Sequence, residues 1–237
     1  MAYFARLLRS FVHKFGYDIV RYSVKNRGDN PYLDMAHFVS NRNPIIFDIG
    51  ANLGESLESF KAVFPSALLH CFEPSTKAFS TLARKYYNRR DIFLYSQAFG
   101  SEISSQWFFD NEFPYMSSFL ELGPFGYGSI INKRLITTNT LDNFASSAGF
   151  KSVDIVKIDT QGFEYNVLLG GSELLASGKI KLIHVELTFT EIYLNLPSYR
   201  LILEYLHEHE FVLCGIYRQH FQNGYLSWAD ALFVRRS

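Results

Sequence analysis

The chain has 237 residues, which suits one α/β domain of ordinary size with a substantial core. Its 23 Lys and Arg balance 23 Asp and Glu, so a net charge of zero gives no global electrostatic case for nucleic acid. Two cysteines, Cys71 and Cys214, supply neither a disulfide framework nor metal-ligand spacing. Both fall in predicted strands, so buried reduced thiols and a cytoplasmic location are expected.

Residues 1–27 hold Arg6, Arg9, Lys14, Arg21, Lys25 and Arg27 against Asp18 alone, with Phe4, Leu7, Leu8, Phe11, Val12 and Phe15 at helical spacing. This stretch is too charged for a signal peptide or a membrane span. It reads as an amphipathic helix packed on the domain, with weak contact to an anionic membrane face or a partner as the alternative. A helix is predicted at 31–41, with Pro31 at its start. Residues 1–43 are thus expected to form a helical segment packed on a single domain spanning 44–237.

Ile45-Ile46-Phe47-Asp48-Ile49, bounded by Pro44 and Gly50, is a buried strand. A helix over 54–64 follows, ended by Pro65. Leu68–Phe72 is the second strand, Ser75 is placed to cap a helix over 76–87, and Ile92–Tyr95 is the third strand. The alternation argues for a parallel sheet with right-handed crossovers. Gln106–Phe109 reads as an extra strand. The stretch 110–132, rich in Pro, Gly and aromatics, reads as a lid over an acceptor site. Leu135–Thr138 is extended, and a short helix follows near 140–148. Val153–Ile158 is a strand ending at Asp159, and Gly162 to Ala176 a helix. Lys179 to Leu187 is a strand, and 197–209 a helix. Phe211–Tyr217 and Ala231–Arg235, joined by an expected loop from Arg218 to Asp230, should pair antiparallel at one edge. The fold class is therefore α/β and Rossmann-like: a seven-stranded, mostly parallel sheet with an antiparallel edge strand and helices on both faces. An aromatic content of 17%, with 23 Phe and 15 Tyr, points first to a core of large rings.

The first chemical motif is Asp48-Ile49-Gly50-Ala51-Asn52-Leu53-Gly54, a glycine turn between strand and helix. A dinucleotide site would show G-x-G-x-x-G. Ala51 and Asn52 stand where the second close glycine would let a pyrophosphate approach. A nucleoside cofactor without pyrophosphate is the better fit, with S-adenosylmethionine (SAM) the obvious candidate. Asp48 would hold the amino group or steer the sulfonium, Gly50 would let the tail pass, and Glu73 would accept from both ribose hydroxyls. The second motif, Lys157-Ile158-Asp159-Thr160-Gln161-Gly162-Phe163-Glu164, lies at a strand's carboxyl end, where open α/β sheets bind ligands. Asp159 and Glu164 are candidates to bind or deprotonate an acceptor hydroxyl, with an N-cap and helix-dipole compensation as their plain alternatives. Glu186 points toward the same edge, while His184 reads as a satisfied core histidine and a secondary base candidate.

These pieces resemble the FkbM family of SAM-dependent methyltransferases. The matching segments are FDIGANLG, FEPSTKAFSTL, SQAFG, Met116-Ser117-Ser118, TTNTLDNF, VDIVKIDTQGFEYNVLLGG, VELTF and WADALFVRR, across residues 45–237. Many members have K-I-D-x-E-G-x-E, whereas this chain has Gln161, so hydrogen bonding rather than acid chemistry is expected there. The resemblance implies methyl transfer to oxygen on sugars, glycolipids, polysaccharides or natural products. It also implies that Asp48, Gly50, Asn52, Gly54, Glu73, Pro74 and Ser75 hold the cofactor, that Gln97 and Ala98 border the adenine, and that Ser117 and Ser118 close over the tail. Asp159, Gln161, Glu164 and Glu186 are then the catalytic candidates. A magnesium ion on Asp159 and Glu186 is a weaker alternative, and no metal centre is predicted. The rivals are an NAD-dependent oxidoreductase and a non-catalytic SAM-binding module.

Overall fold

The computed structural model describes residues 11–12, 14–15 and 28–236. The expected basic amphipathic helix of residues 1–27 lies almost wholly outside them. No helix among the described residues is long and apolar enough to cross a membrane.

Helices α1 (Pro31–Met35), α2 (Glu55–Val63) and α3 (Thr76–Tyr86) alternate with strands β1 (Ile45–Ile49), β2 (Leu68–Phe72) and β3 (Ile92–Tyr95). A small sheet follows, from β4 (Ala98–Phe99), β5 (Ser105–Asn111) and β6 (Ile130–Asn139). Then come α4 (Leu141–Ser147), β7 (Val153–Ile158), α5 (Glu164–Leu169), α6 (Ser172–Ala176), β8 (Ile180–Thr188), α7 (Tyr199–Glu208), β9 (Phe211–Gln222) and β10 (Tyr225–Arg235). The main sheet has the order β3-β2-β1-β7-β8-β10-β9. β1, β2, β3, β7 and β8 are parallel, while β10 runs antiparallel to both β8 and β9.

Strand alternation sends successive residues to two cores. Phe47, Phe72, Val156, Ile183 and Phe233 pack under α4 to α7, while Ile46, Leu69, Ile155, Leu182 and Leu232 pack under α1 to α3. The aromatic composition is concentrated in the first core, where Phe72 meets Phe47, Tyr95, Phe99 and Phe144 with centroids 4.8–5.5 Å apart. Helix α1 is tied to the sheet: Tyr32 and Met35 are buried, and the Tyr217 hydroxyl donates to Asp34 Oδ2 at 2.8 Å.

Several local expectations need correction. The expected loop from Arg218 to Asp230 is two strand segments joined only by a tight turn at Asn223 (φ 50) and Gly224 (φ 82). Asn-Gly with two positive φ values is a hairpin turn whose twist matches the strands. The expected helix from 162 to 176 is two helices, broken at Gly170-Gly171. A Cβ on Gly170 would lie 2.0 Å from the Gly100 carbonyl oxygen, so the backbone there is pressed against another loop. Cys214 is exposed rather than buried, because β9 is the sheet's edge strand, while Cys71 is buried as expected.

Candidate active site

A cleft of about 920 Å³, open solvent included, lies at the carboxyl ends of β1, β2 and β7. Gly50, Asn52, Glu73, Pro74, Gln97, Ala98, Ser117, Asp159 and Gln161 line it. Asp48, Gly54, Ser75, Glu164 and Glu186 do not border it.

The glycine turn commits the N–H groups of Gly50, Ala51, Asn52 and Gly54 to protein acceptors. Gly50 N–H and Ala51 N–H both donate to the Phe72 carbonyl at 3.0 Å, and Gly54 N–H to Ala51 O at 2.8 Å. Asn52 N–H donates to Glu73 Oε2 at 2.8 Å. A pyrophosphate cradle needs such N–H groups pointing outward. Gly50 has φ 80, and a Cβ there would lie 1.8 Å from the Asp159 carbonyl oxygen, so β1 and β7 close together only with glycine. Gly54, φ 86, is the N-cap of α2, where a Cβ would strike Leu82 and Tyr86 at 2.8 Å; its role is helix packing rather than cleft lining.

Glu73 is 6% exposed, and its Oε1 also accepts from Ser75 N–H at 2.7 Å. Burial pushes its carboxyl up to about 7 against the pull of the two backbone N–H groups. Ser75 is the N-cap residue of α3, but its side chain makes no capping bond, contrary to expectation. Its backbone N–H positions Glu73 instead.

Register places a row of polar side chains on the α1 face of the sheet. Asp48 on β1 lies beside Lys157 on β7, and Lys157 beside His184 on β8. One step on, Glu186 pairs with Asp230 of β10. Lys157 Nζ is 3.2 Å from Asp48 Oδ1 and 3.4 Å from Asp159 Oδ2. Its burial pulls its pKa down, but the two carboxylates together outweigh that and hold it above its usual value. Asp48 is fully buried, and its other oxygen accepts from the Ser56 hydroxyl, so it anchors Lys157 behind the cleft.

Asp159 Oδ1 accepts from Gln161 Nε2 at 2.8 Å, and the same nitrogen reaches Glu186 Oε1 at 3.2 Å. Gln161 has φ 57; its Oε1 accepts from the Tyr193 hydroxyl at 3.0 Å and its carbonyl from the Ser118 hydroxyl at 2.6 Å. Asp159 caps no helix, since Phe163 is the N-cap of α5. Glu164 is 3% exposed and turns back onto its own loop, accepting from Thr160 N–H at 2.7 Å and Gly162 N–H at 3.2 Å. Burial raises its carboxyl to about 7. Burial, then the charges of Asp159 and Glu164, push Glu186 well above the carboxylate range.

His184 is buried as expected but not satisfied. Neither ring nitrogen has a hydrogen-bond partner among the described residues, and Nε2 is 3.6 Å from Asp230 Oδ2. Burial, with Lys157 nearby, lowers its pKa to about 3, so it is neutral. Among the described residues no group of three or more His, Cys, Asp or Glu is placed to hold a metal ion.

The 110–129 segment is clamped rather than loose. Met116, Ile192 and Tyr193 form a small core with Leu120, Leu122 and Leu196, and Gly123 N–H donates to Ile192 O at 2.8 Å. Tyr193, which sequence reasoning missed, therefore joins this segment to Gln161. Tyr32, Tyr115 and Arg218 also line the cleft and were missed, because nothing local marks them.

Residues 48–213 match the family described as the methyltransferase FkbM domain. The 2-O-methyltransferase NoeI of Sinorhizobium fredii is 27% identical over 183 residues, 72% of this chain and 74% of that protein. An rRNA methylase from Streptococcus thermophilus superimposes with a TM-score of 0.50 at 8% identity, over 87% of this chain and 94% of that one. Aeropyrum pernix fibrillarin, solved with S-adenosyl-L-methionine, gives 0.47 at 13% identity, over 97% and 73%. The matched span is well over half of the sequence, and the chain belongs to the FkbM methyltransferase family.

Proposed function

We propose that the protein is a SAM-dependent O-methyltransferase whose acceptor is a hydroxyl of a sugar or glycan. The carrying observation is the turn itself. The N–H groups of Gly50, Ala51 and Asn52, where a pyrophosphate would approach, are spent on Phe72 O and Glu73, which leaves a carboxylate rather than an N–H cradle at that point of the cleft. That suits a ribose and not a pyrophosphate, and it disfavours the NAD reading.

The residues fit this cofactor. Glu73 takes the ribose hydroxyls. Asn52, whose Oδ1 is buried without a hydrogen-bond partner, borders the amino-acid tail. Gln97, Ala98 and Pro74 border the adenine, and Ser117 lies on the same wall. Asp48 and Gly54 support the turn from behind, and Ser75 supports Glu73. The bound cofactor supplies a methyl group made electrophilic by its sulfonium.

The remaining chemistry is alignment and proton removal. Asp159 is the carboxylate of the β7 motif that opens onto the cleft, and it accepts the proton of the attacking hydroxyl. Gln161 holds Asp159 through Nε2 and shares that amide with Glu186, which orients the pair. Glu164 is a positioning residue that shapes the turn carrying Asp159. Zero net charge and a 2-O-methyltransferase relative favour a small-molecule or glycan acceptor over nucleic acid.

Calorimetry with S-adenosylhomocysteine (SAH), SAM and NAD tests the cofactor: SAM and SAH should bind and NAD should not. Binding of NAD alone would overturn the proposal.

A further inference from the structure

Strand β9 carries an irregularity that the proposed reaction leaves unused. Trp228 pairs with His220, and Asp230 with Tyr217. Ala229 therefore faces two residues of β9, Arg218 and Gln219, which makes a β-bulge. Arg218 has φ 46, in the left-handed region that a non-glycine residue seldom occupies.

The bulge changes where Arg218 points. In a regular strand, neighbours point to opposite faces. Tyr217 faces α1, since its hydroxyl bonds Asp34. Arg218 should face away. Instead its guanidinium lies over the Tyr32 ring of the same helix, 5.7 Å from the centroid, and lines the cleft. Bulges beside active sites commonly re-aim a side chain in this way.

Once there, Arg218 holds no close carboxylate among the described residues. The nearest carboxylate oxygen among them, Asp230 Oδ2, is 3.9 Å from Nε, and the Arg218 side chain is 63% exposed. Lys157, the other cation lining the cleft among the described residues, is already held between Asp48 and Asp159. A guanidinium presents a fork that matches a carboxylate.

On the methyltransferase reading, we infer that the bulge at Arg218 and Gln219 aims the Arg218 guanidinium at the carboxylate of the cofactor's amino-acid tail. Arg218 is then a cofactor-binding residue contributed from the far edge of the sheet. An acidic group on the acceptor would satisfy the same fork, and two ligands separate these sources. SAH carries the tail, whereas 5′-methylthioadenosine has the same nucleoside without it.

Calorimetry of the wild type and Arg218→Ala with both ligands is the test, with thermal unfolding of the free proteins to establish that the variant folds. SAH should bind Arg218→Ala roughly 5- to 50-fold more weakly, the range of a charge-assisted pair in an open cleft. Methylthioadenosine should stay within about twofold, and Arg218→Lys should recover part of the SAH loss. Unchanged SAH affinity in Arg218→Ala, or equal weakening of both ligands, overturns the inference and leaves the methyltransferase reading standing. A wild type that binds no SAH overturns both.

Discussion

Glu73→Gln separates the charge of Glu73 from its shape. The carboxylate accepts Asn52 N–H at 2.8 Å and Ser75 N–H at 2.7 Å. Glutamine keeps one acceptor and turns an NH2 toward the other N–H, so one buried donor loses its partner at a cost of about 1–3 kcal/mol. Against this, the substitution removes a buried charge. A carboxyl raised from 4.5 to about 7 carries an ionisation penalty of at most about 3 kcal/mol above pH 7. The two effects nearly cancel at pH 8, so the variant should fold. Its SAH affinity should fall roughly 10- to 100-fold, because the ribose hydroxyls lose charge-assisted acceptors. Calorimetry should also separate the two proteins by pH. Hydroxyl donors favour the ionised carboxylate, so wild-type affinity should rise from pH 6 to pH 8, while that of Glu73→Gln stays flat. Equal affinities, or equal pH slopes, would refute the assignment of Glu73.

Gly50→Ala should cost about 3 kcal/mol or more, combining left-handed strain with a Cβ placed 1.8 Å from the Asp159 carbonyl oxygen. Gly149→Ala, at φ 74 with nothing within 4 Å, should cost only about 1–2 kcal/mol; thermal unfolding of the two variants side by side checks the difference. Glu164 is raised from 4.5 to about 7, so the folded state binds the extra proton between those values. Its contribution to stability is fully present below pH 4.5 and is lost as pH rises through 7. His70 and His184, lowered to about 4 and 3, act in the opposite sense below pH 6.5. The informative quantity is therefore the wild-type stability minus that of Glu164→Gln in urea at pH 5 and pH 8. That difference should fall by about 1–3 kcal/mol, and a constant or rising difference contradicts the burial argument.

The parallel half of the sheet was legible because its strands are short apolar runs between prolines, glycines and polar residues. The carboxylates that matter sit where those runs stop: Asp48, Glu73, Asp159 and Glu186. Their separate duties were not legible. Glu164 looks equivalent to Asp159 along the chain, but a turn with Gln161 at φ 57 folds it back onto Thr160 and Gly162. Asp48 resembles a ligand-facing acid, yet cross-strand register sets it against Lys157. The break at Gly170-Gly171 did leave a local signal in the paired glycines, but the close contact with Gly100 that demands glycine at 170 is distant in sequence and was not legible. The β9–β10 hairpin did leave a signal, Asn223-Gly224, but its bulges spoil the alternation that marks a strand. Arg218 was hidden for the same reason, because the bulge reverses the face that alternation assigns to it.

Transfer of a deuterium-labelled methyl group from SAM to a panel of sugar and glycan acceptors, read by mass spectrometry, tests the central claim most directly. The intact labelled methyl should appear on a hydroxyl oxygen with the wild type. With Asp159→Asn, transfer should fall by roughly two orders of magnitude or more, while SAH affinity changes little. Transfer that survives Asp159→Asn unchanged, or a methyl group found on nitrogen or carbon, would contradict the account.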